Sequence, residues 1–262
     1  MKRVIAHLSD LHFGRTDPAT LDPLVAAVEH LNPDLLAVSG DLTQRARPHE
    51  FQQARAFLDR LPGPQIVVPG NHDVSLHNPW KRFISKWEHF RRHIHCDLEQ
   101  WFADEAIAVA GINTARALTW KGGRINTGQI EAVKRHFCAA AGGALKILVA
   151  HHPLDVPGDW AAANQAMRAR KALGHWAECG VDLILAGHAH RAFAGGEASA
   201  MRIGNHKAVI VQAGTATSTR GRGEPNSFNA IEVSARRIVV RRMTWRHESR
   251  RFIQSHEDDF AR

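Results

Sequence analysis

The form of the apolar runs constrains this chain most. They are short, rich in Val, Ile and Leu, and closed by glycine or polar residues, with helical patterns between several of them. Val4 to Leu8 reads as a strand, Leu21 to Leu31 as a helix, Leu35 to Val38 as a strand, Pro48 to Leu61 as a helix opened by a proline, and Ile66 to Val68 as a third strand. Near-continuous apolar strands alternating with helices are the mark of parallel strands covered on both faces, so an α/β fold is predicted. After an irregular middle, Leu145 to Val149 and Leu183 to Leu185 repeat the form, with a helical segment from about Asn164 to Cys179 between them. Ala208 to Gln212, Phe228 to Val233 and Arg237 to Trp245 then come close together, the last two joined by a turn near Ser234 to Arg236, so the sheet is expected to finish in antiparallel strands. No repeat or low-complexity linker interrupts the 262 residues. That length is ample for one core, so residues 1–262 are expected to form a single domain.

The residues that close each run are the second constraint. The first strand ends in Ser9-Asp10-Leu11-His12, the second in Ser39-Gly40-Asp41 and the third in Pro69-Gly70-Asn71-His72-Asp73. The fourth ends in Ala150-His151-His152-Pro153 and the fifth in Ala186-Gly187-His188-Ala189-His190. Ligands of α/β sheets bind at the carboxyl ends of strands, so one rim is predicted to gather Asp, His, Asp, Asn and three His. Carboxylate, amide and imidazole donors without thiolate suit Mn, Fe, Co or Zn. A single ion takes three or four protein ligands, and this rim offers at least seven, which makes two metals the economical reading. Asp-x-His and His-x-His each place alternate side chains on one side, and Asp41, lying between the pairs, is suited to bridge two ions. Such a pair is the clamp used for in-line displacement at phosphorus.

Each piece alone is bland. Asp at a strand end is commonly a turn or cap residue, Gly-Asn-His-Asp can be a turn, and His151-His152-Pro153 a loop. Five such pieces in order, each closing an apolar run, argue for chemistry. The remaining histidines, among them His7, His89, His95 and His136, lack that context and are expected on the surface or in the core.

The ordered set Asp10-x-His12, Gly40-Asp41, Gly70-Asn71-His72-Asp73, His151 and Gly187-His188-x-His190 resembles the calcineurin-like metallophosphoesterase superfamily, with every motif intact. The resemblance implies a four-layer sandwich of two mixed β-sheets flanked by helices, and a dinuclear centre of divalent or mixed-valence transition metals. It places Asp10, His12, Asp41 and His190 on one metal, and Asp41, Asn71, His151 and His188 on the other. His72 then stands outside as the acid at the leaving oxygen. His151 is preferred to its neighbour His152 because it follows the strand directly. The length and the run from Gly214 to Asn229 look like small bacterial class III cyclic-nucleotide phosphodiesterases.

The nucleophile expected of such a site is a hydroxide between the metals, since two cations lower the pKa of bound water. His72 and Asn71 are adjacent and diverge, which leaves His72 free for proton transfer. Asp73 has two readings, orienting the His72 ring or closing a local turn. Arg15 and Arg191 are candidates to touch non-metal phosphate oxygens or to be solvated charges, and Arg220 and Arg222 are similar candidates.

The formal charge of +8 and the pI near 10 predict attraction to anions without choosing among them. Substrate selection is expected from segments outside the core. Asn78 to Phe102 reads as an amphipathic helix with a basic face, either packed on the body or serving as a lid toward an anionic or lipid-like substrate. Pro157 to Ala166 and Trp120 to Arg124 are further candidates, with Trp80, Trp120 or Trp160 available to stack on a base. A small phosphodiester is the expected substrate. The rivals are a pyrophosphatase of a nucleotide-linked lipid in peripheral contact with a membrane, a nuclease of the same superfamily, and a metal-free binding scaffold. No apolar stretch of about 18 residues and no secretory signal are read. Three scattered cysteines, Cys96, Cys138 and Cys179, are expected as reduced thiols in a cytoplasm.

Overall fold

The structure is a computed structural model that describes residues 2–75, 85–116, 122–155, 165–188, 198–203, 206–220 and 223–262. Strand β1 (Lys2–Leu8), helix α1 (Pro18–Leu31), β2 (Leu35–Val38), α2 (Pro48–Leu58) and β3 (Gln65–Val67) form the opening unit. Helix α1 begins ahead of its apolar stripe because Asp17 caps it, accepting the Ala19 N–H at 3.0 Å, with Pro18 in the first turn. Then come α3 (Glu88–His93), β4 (Gln100–Ala103), β5 (Ile107–Ile112), α4 (Thr127–Ala139), β6 (Leu145–Ala150), α5 (Ala169–Ala177) and β7 (Val181–Ala186). The chain finishes with β8 (Ala198–Ile203), β9 (His206–Gln212), β10 (Ser227–Ser234), β11 (Arg237–Arg246) and β12 (Arg251–Ala261).

The strands form two six-stranded mixed sheets, ordered β12-β11-β10-β1-β2-β3 and β4-β5-β6-β7-β9-β8. β1, β2 and β3 run parallel, as do β5, β6, β7 and β9. The apolar runs are continuous because each strand is buried twice. Ile5, Leu35 and Ala37 meet Ile147, Val149, Leu183 and Leu185 in the layer between the sheets. Their neighbours Ala6, Leu8, Leu36 and Val38 face α1 and α2, while Leu148, Ala150 and Ile184 face α4 and α5. The result is the expected α/β/β/α sandwich, and it brings the carboxyl ends of β1, β2, β3, β6 and β7 to one rim.

The described part of the irregular middle holds β4, β5 and α4. The β5 run, Ile-Ala-Val-Ala-Gly-Ile, is thin in bulky residues, yet it is wholly buried between β4 and β6. β12 escapes a sequence reading because it is an edge strand, charged and mostly exposed. The helix expected over Asn78 to Phe102 is corrected: residues 76–84 lie outside the described residues, the helical part ends at His93, and Phe102 belongs to β4. Trp87, Phe90 and Ile94 pack into the same cluster as α1 and α2. The thiol expectation is corrected as well. Cys138 on α4 and Cys179 just after α5 form a disulfide, leaving Cys96 as a free thiol. The two helices are neighbours on the outer face of the second sheet, where the Trp176 indole N–H donates to the Ile130 carbonyl at 3.1 Å. A separation of 41 residues concealed that proximity. Among the described residues, no helix is long and apolar enough to cross a membrane.

Candidate metal centre

The loops leaving the first sheet are cross-linked past the last strand residues. The Asp10 N–H donates to the Gly40 carbonyl at 3.0 Å, the His12 N–H to the Asp41 carbonyl at 2.9 Å, and the Phe13 N–H to the Leu42 carbonyl at 2.8 Å. This pairing forces Asp10, His12 and Asp41 to φ of +54°, +49° and +52°, and His188 on the second sheet has φ +74°. Left-handed backbone is costly for such residues and gathers at functional sites, where the surroundings over-determine it. Two glycines make room. Gly40, at φ +92°, would bring a Cβ within 2.7 Å of His151 Nδ1, and a side chain on Gly187 would overlap the Ser9 hydroxyl.

Two groups of ligand atoms result. His12 Nε2 lies 3.6 Å from Asp10 Oδ1 and 3.8 Å from Asp41 Oδ2, and the three residues are fully buried. His151 Nε2 lies 3.1 Å from Asn71 Oδ1, 3.2 Å from His188 Nδ1 and 3.4 Å from Asp41 Oδ1. The Asp41 carboxylate thus turns one oxygen to each group. His190 lies outside the described residues, so the first group shows three of its four expected members. His152 lies beside the second group, its Nδ1 2.8 Å from the Thr114 hydroxyl.

These donors fit metal ions. His151 Nδ1 donates its proton to the Ser39 carbonyl at 2.8 Å, which points the Nε2 lone pair inward. Around that nitrogen stand an amide oxygen and a carboxylate oxygen, atoms that repel unless a positive charge sits among them. Asp41 Oδ2 is buried with no hydrogen-bond partner among the described residues, a position that a cation would satisfy. Without an ion, a proton on His151 Nε2 supplies that positive charge and is shared with Asn71 Oδ1 at 3.1 Å. Burial alone would lower the His151 pKa, but Asp41, Asp10 and the Ser39 carbonyl raise it to about 9. Burial alone would raise Asp41, yet His151, His72 and His12 hold it well below the usual carboxylate range.

His72 stands beside the first group, its ring edge-on to that of His12 with centroids 4.9 Å apart. Its backbone N–H donates to Asp41 Oδ1 at 2.8 Å, and its Nδ1–H to the Gln44 carbonyl at 2.9 Å. The orienting role expected of Asp73 is therefore corrected: Gln44 holds the ring. Asp73 Oδ1 accepts from the Thr43 N–H and hydroxyl, and Oδ2 from the Gly70 and Leu42 N–H groups, so this buried carboxylate clasps the loops after β2 and β3. Burial, with Asp41 nearby, raises its pKa to about 6 against those bonds. Arg15 is exposed, and among the described residues its backbone is what ties it into the site. Arg191 and Arg222 lie outside the described residues, as do Trp80, Trp120 and Trp160.

Sequence reasoning missed the supports, and it named Arg220 as a candidate for phosphate oxygens but not as a partner of His72. Ser9 donates to Asp10 Oδ2 at 2.6 Å, Ser39 orients His151, and Arg220 Nη1 donates to His72 Nε2 at 3.0 Å. A signal existed for Ser9, whose hydroxyl stands just ahead of Asp10, but not for Ser39, which acts on His151 through its backbone carbonyl.

The family model for calcineurin-like phosphoesterases matches residues 3–192. The chain is 38% identical over 82 residues to glycerophosphodiester phosphodiesterase GpdQ of Enterobacter lignolyticus (strain SCF1), covering 27% of this chain and 29% of that protein. It is 36% identical over 78 residues to a probable cyclic nucleotide phosphodiesterase of Synechococcus sp., covering 26% and 31%. Each match thus spans less than a third of the relative's own length. In fold, purple acid phosphatase PPD1 from yellow lupin superposes with a TM-score of 0.74 at 12% identity, over 100% of this chain and 54% of that one. PhoD superposes at 0.71 and 9% identity, over 100% and 68%.

Proposed function

For a chain that belongs to the calcineurin-like phosphoesterase family, we propose a phosphodiesterase with a dinuclear centre, acting on a small soluble diester such as a cyclic nucleotide or a glycerophosphodiester. The observation that carries this reading is Asp41, whose two oxygens face two separate ligand groups. Asp10, His12, Asp41 and His190 hold one ion; Asp41, Asn71, His151 and His188 hold the other. Ions of the Mn, Fe, Zn or Co class supply Lewis-acid charge and lower the pKa of water when bound.

The protein's residues supply the rest. Ser39 and Gln44 fix the proton of His151 and of His72 on Nδ1, through a carbonyl in each case. His72 Nε2 is thereby the ring atom available to handle a proton at the leaving oxygen. Burial and the His12 and Arg220 charges lower the His72 pKa, opposed by Asp41. The support for a diester is electrostatic. One negative charge on the substrate leaves room for tighter binding in the transition state, whereas a doubly charged monoester binds firmly before reaction. The lipid-docking alternative gains little from the described part of the 78–102 segment, where Trp87, Phe90 and Ile94 pack into the body while Trp101 on β4 is exposed.

The test is a panel of phosphate mono- and diesters assayed after chelation and reloading with Mn, Zn, Fe or Mg. Bis(p-nitrophenyl) phosphate and at least one natural small diester should turn over faster than p-nitrophenyl phosphate. Faster monoester hydrolysis contradicts the substrate class, and duplex DNA cleavage with a steep salt slope points to the nuclease instead.

A further inference from the structure

Arg220 occupies a place that the ligand set does not explain. The segment before it runs alongside the β1–α1 loop that carries Asp10 and His12. The Ala216 N–H donates to the Ser9 carbonyl at 3.0 Å, the Thr217 hydroxyl to the Leu11 carbonyl at 2.7 Å, and the Asp17 N–H to the Thr217 carbonyl at 2.6 Å. The Thr219 N–H then donates to the Arg15 carbonyl at 2.9 Å, and the Arg220 N–H to the Ser218 hydroxyl at 3.1 Å. Thr217 and Ser218 are buried. This zipper sets Arg220 at the rim, half-buried, with Nη1 3.0 Å from His72 Nε2.

The partner is an unusual one for a guanidinium in this molecule. Arg3, Arg60, Arg237, Arg241 and Arg262 each close on a carboxylate. Arg220 instead donates to a neutral imidazole nitrogen, because His72 Nδ1 keeps its proton for the Gln44 carbonyl. Among the described residues its guanidinium meets no carboxylate. A charged oxygen offers a guanidinium the attraction of opposite full charges that a neutral acceptor lacks, and the guanidinium fork matches phosphate oxygens in pairs. An anion arriving beside His72 therefore offers Arg220 a better partner than the one it has.

We propose that Arg220 grips a non-bridging oxygen of the substrate phosphate, and that it leaves His72 Nε2 to do so. Resting on the phosphoesterase reading above, this makes Arg220 a substrate-binding residue whose movement also uncovers the His72 nitrogen. In the state described, Nε2 is occupied by an Arg220 N–H and has no free lone pair, so His72 is held back until a phosphate draws the guanidinium away.

The test uses inorganic phosphate as probe, bound to the full-length, zinc-loaded protein and followed by calorimetry, alongside KM for bis(p-nitrophenyl) phosphate. Arg220→Ala should weaken phosphate binding by roughly 10- to 100-fold, as expected for losing a charged hydrogen-bonded contact. KM should rise in parallel, with zinc content and thermal unfolding unchanged, and Arg220→Lys should recover part of the affinity. Unchanged phosphate affinity in Arg220→Ala, loss of zinc from both variants, or a parent that binds no phosphate overturns the proposal. A parent that binds phosphate through Arg220 and yet hydrolyses no diester would sink the phosphodiesterase reading while leaving this one standing.

Discussion

The two sheets contribute to the candidate metal centre by different means. The first supplies both carboxylates, His12 and Asn71 on loops that leave their strands, take left-handed backbone and are tied to one another by main-chain bonds and by the Asp73 clasp. The second supplies imidazoles almost directly: His151 is the first residue past β6, and His188 the second past β7. Even these are oriented from across the gap, His151 by the Ser39 carbonyl and His188 by Asp10, which accepts its N–H at 3.1 Å. The carboxylate half is thus self-supporting, and the imidazole half leans on it. Damage to the first sheet's loops should spread to both ligand groups, and damage to the second should stay local.

The sharpest way to break that asymmetry is to compare Asp10→Ala with His151→Ala. Asp10 is a proposed ligand of one group and a support of the other, so its loss should lower kcat/KM by about 10³-fold or more and deplete both metals. His151→Ala should also be nearly inactive but retain close to one metal per chain. Depletion by equal amounts in the two variants would remove the asymmetry.

A step down in size, Asp73→Ala tests whether the first half is held by its clasp. Removing a buried carboxylate that accepts four bonds strands several donors and should cost about 3 to 5 kcal/mol in denaturant melts. If Asp73 acted on the His72 ring, the variant would lose activity while keeping its stability.

The smallest effect concerns His7, beneath the rim, where its Nε2 meets the Ser39 hydroxyl at 2.9 Å. Burial pushes its pKa down to about 3, against a pull from Asp10 in the other direction. The unfolded ring takes a proton below about pH 6.5 while the folded one stays neutral, so stability present above 6.5 is lost as pH falls toward 3. Between pH 6.5 and 4.5 the parent should lose about 2 kcal/mol more than His7→Gln. Parallel pH profiles for the two proteins would show that His7 is not held neutral.

Legibility in the sequence followed the physics of each half. The candidate ligands were readable because a parallel strand buried on both faces is a plain apolar run and its end is therefore marked. β5 was hidden by its alanines and glycine, and β12 by the charge of an edge strand. The supports were harder still. Gln44 acts through its carbonyl, which any residue type would provide, and Arg220 depends on a zipper between residues more than 200 positions apart in sequence. Asp73 looked like a partner for His72 because it is adjacent in sequence, but adjacent side chains diverge, and its oxygens turn to backbone donors instead. The disulfide joins two helices whose proximity only the second sheet creates.

The claim on which the rest depends is that Asp41 is shared. Elemental analysis of the parent after chelation and reloading should find close to two transition metals per chain, and Asp41→Ala should lose both together, with activity. An Asp41→Ala protein that keeps one tightly held ion and most of its turnover would take Asp41 out of the bridging position and leave two independent sites in place of one centre.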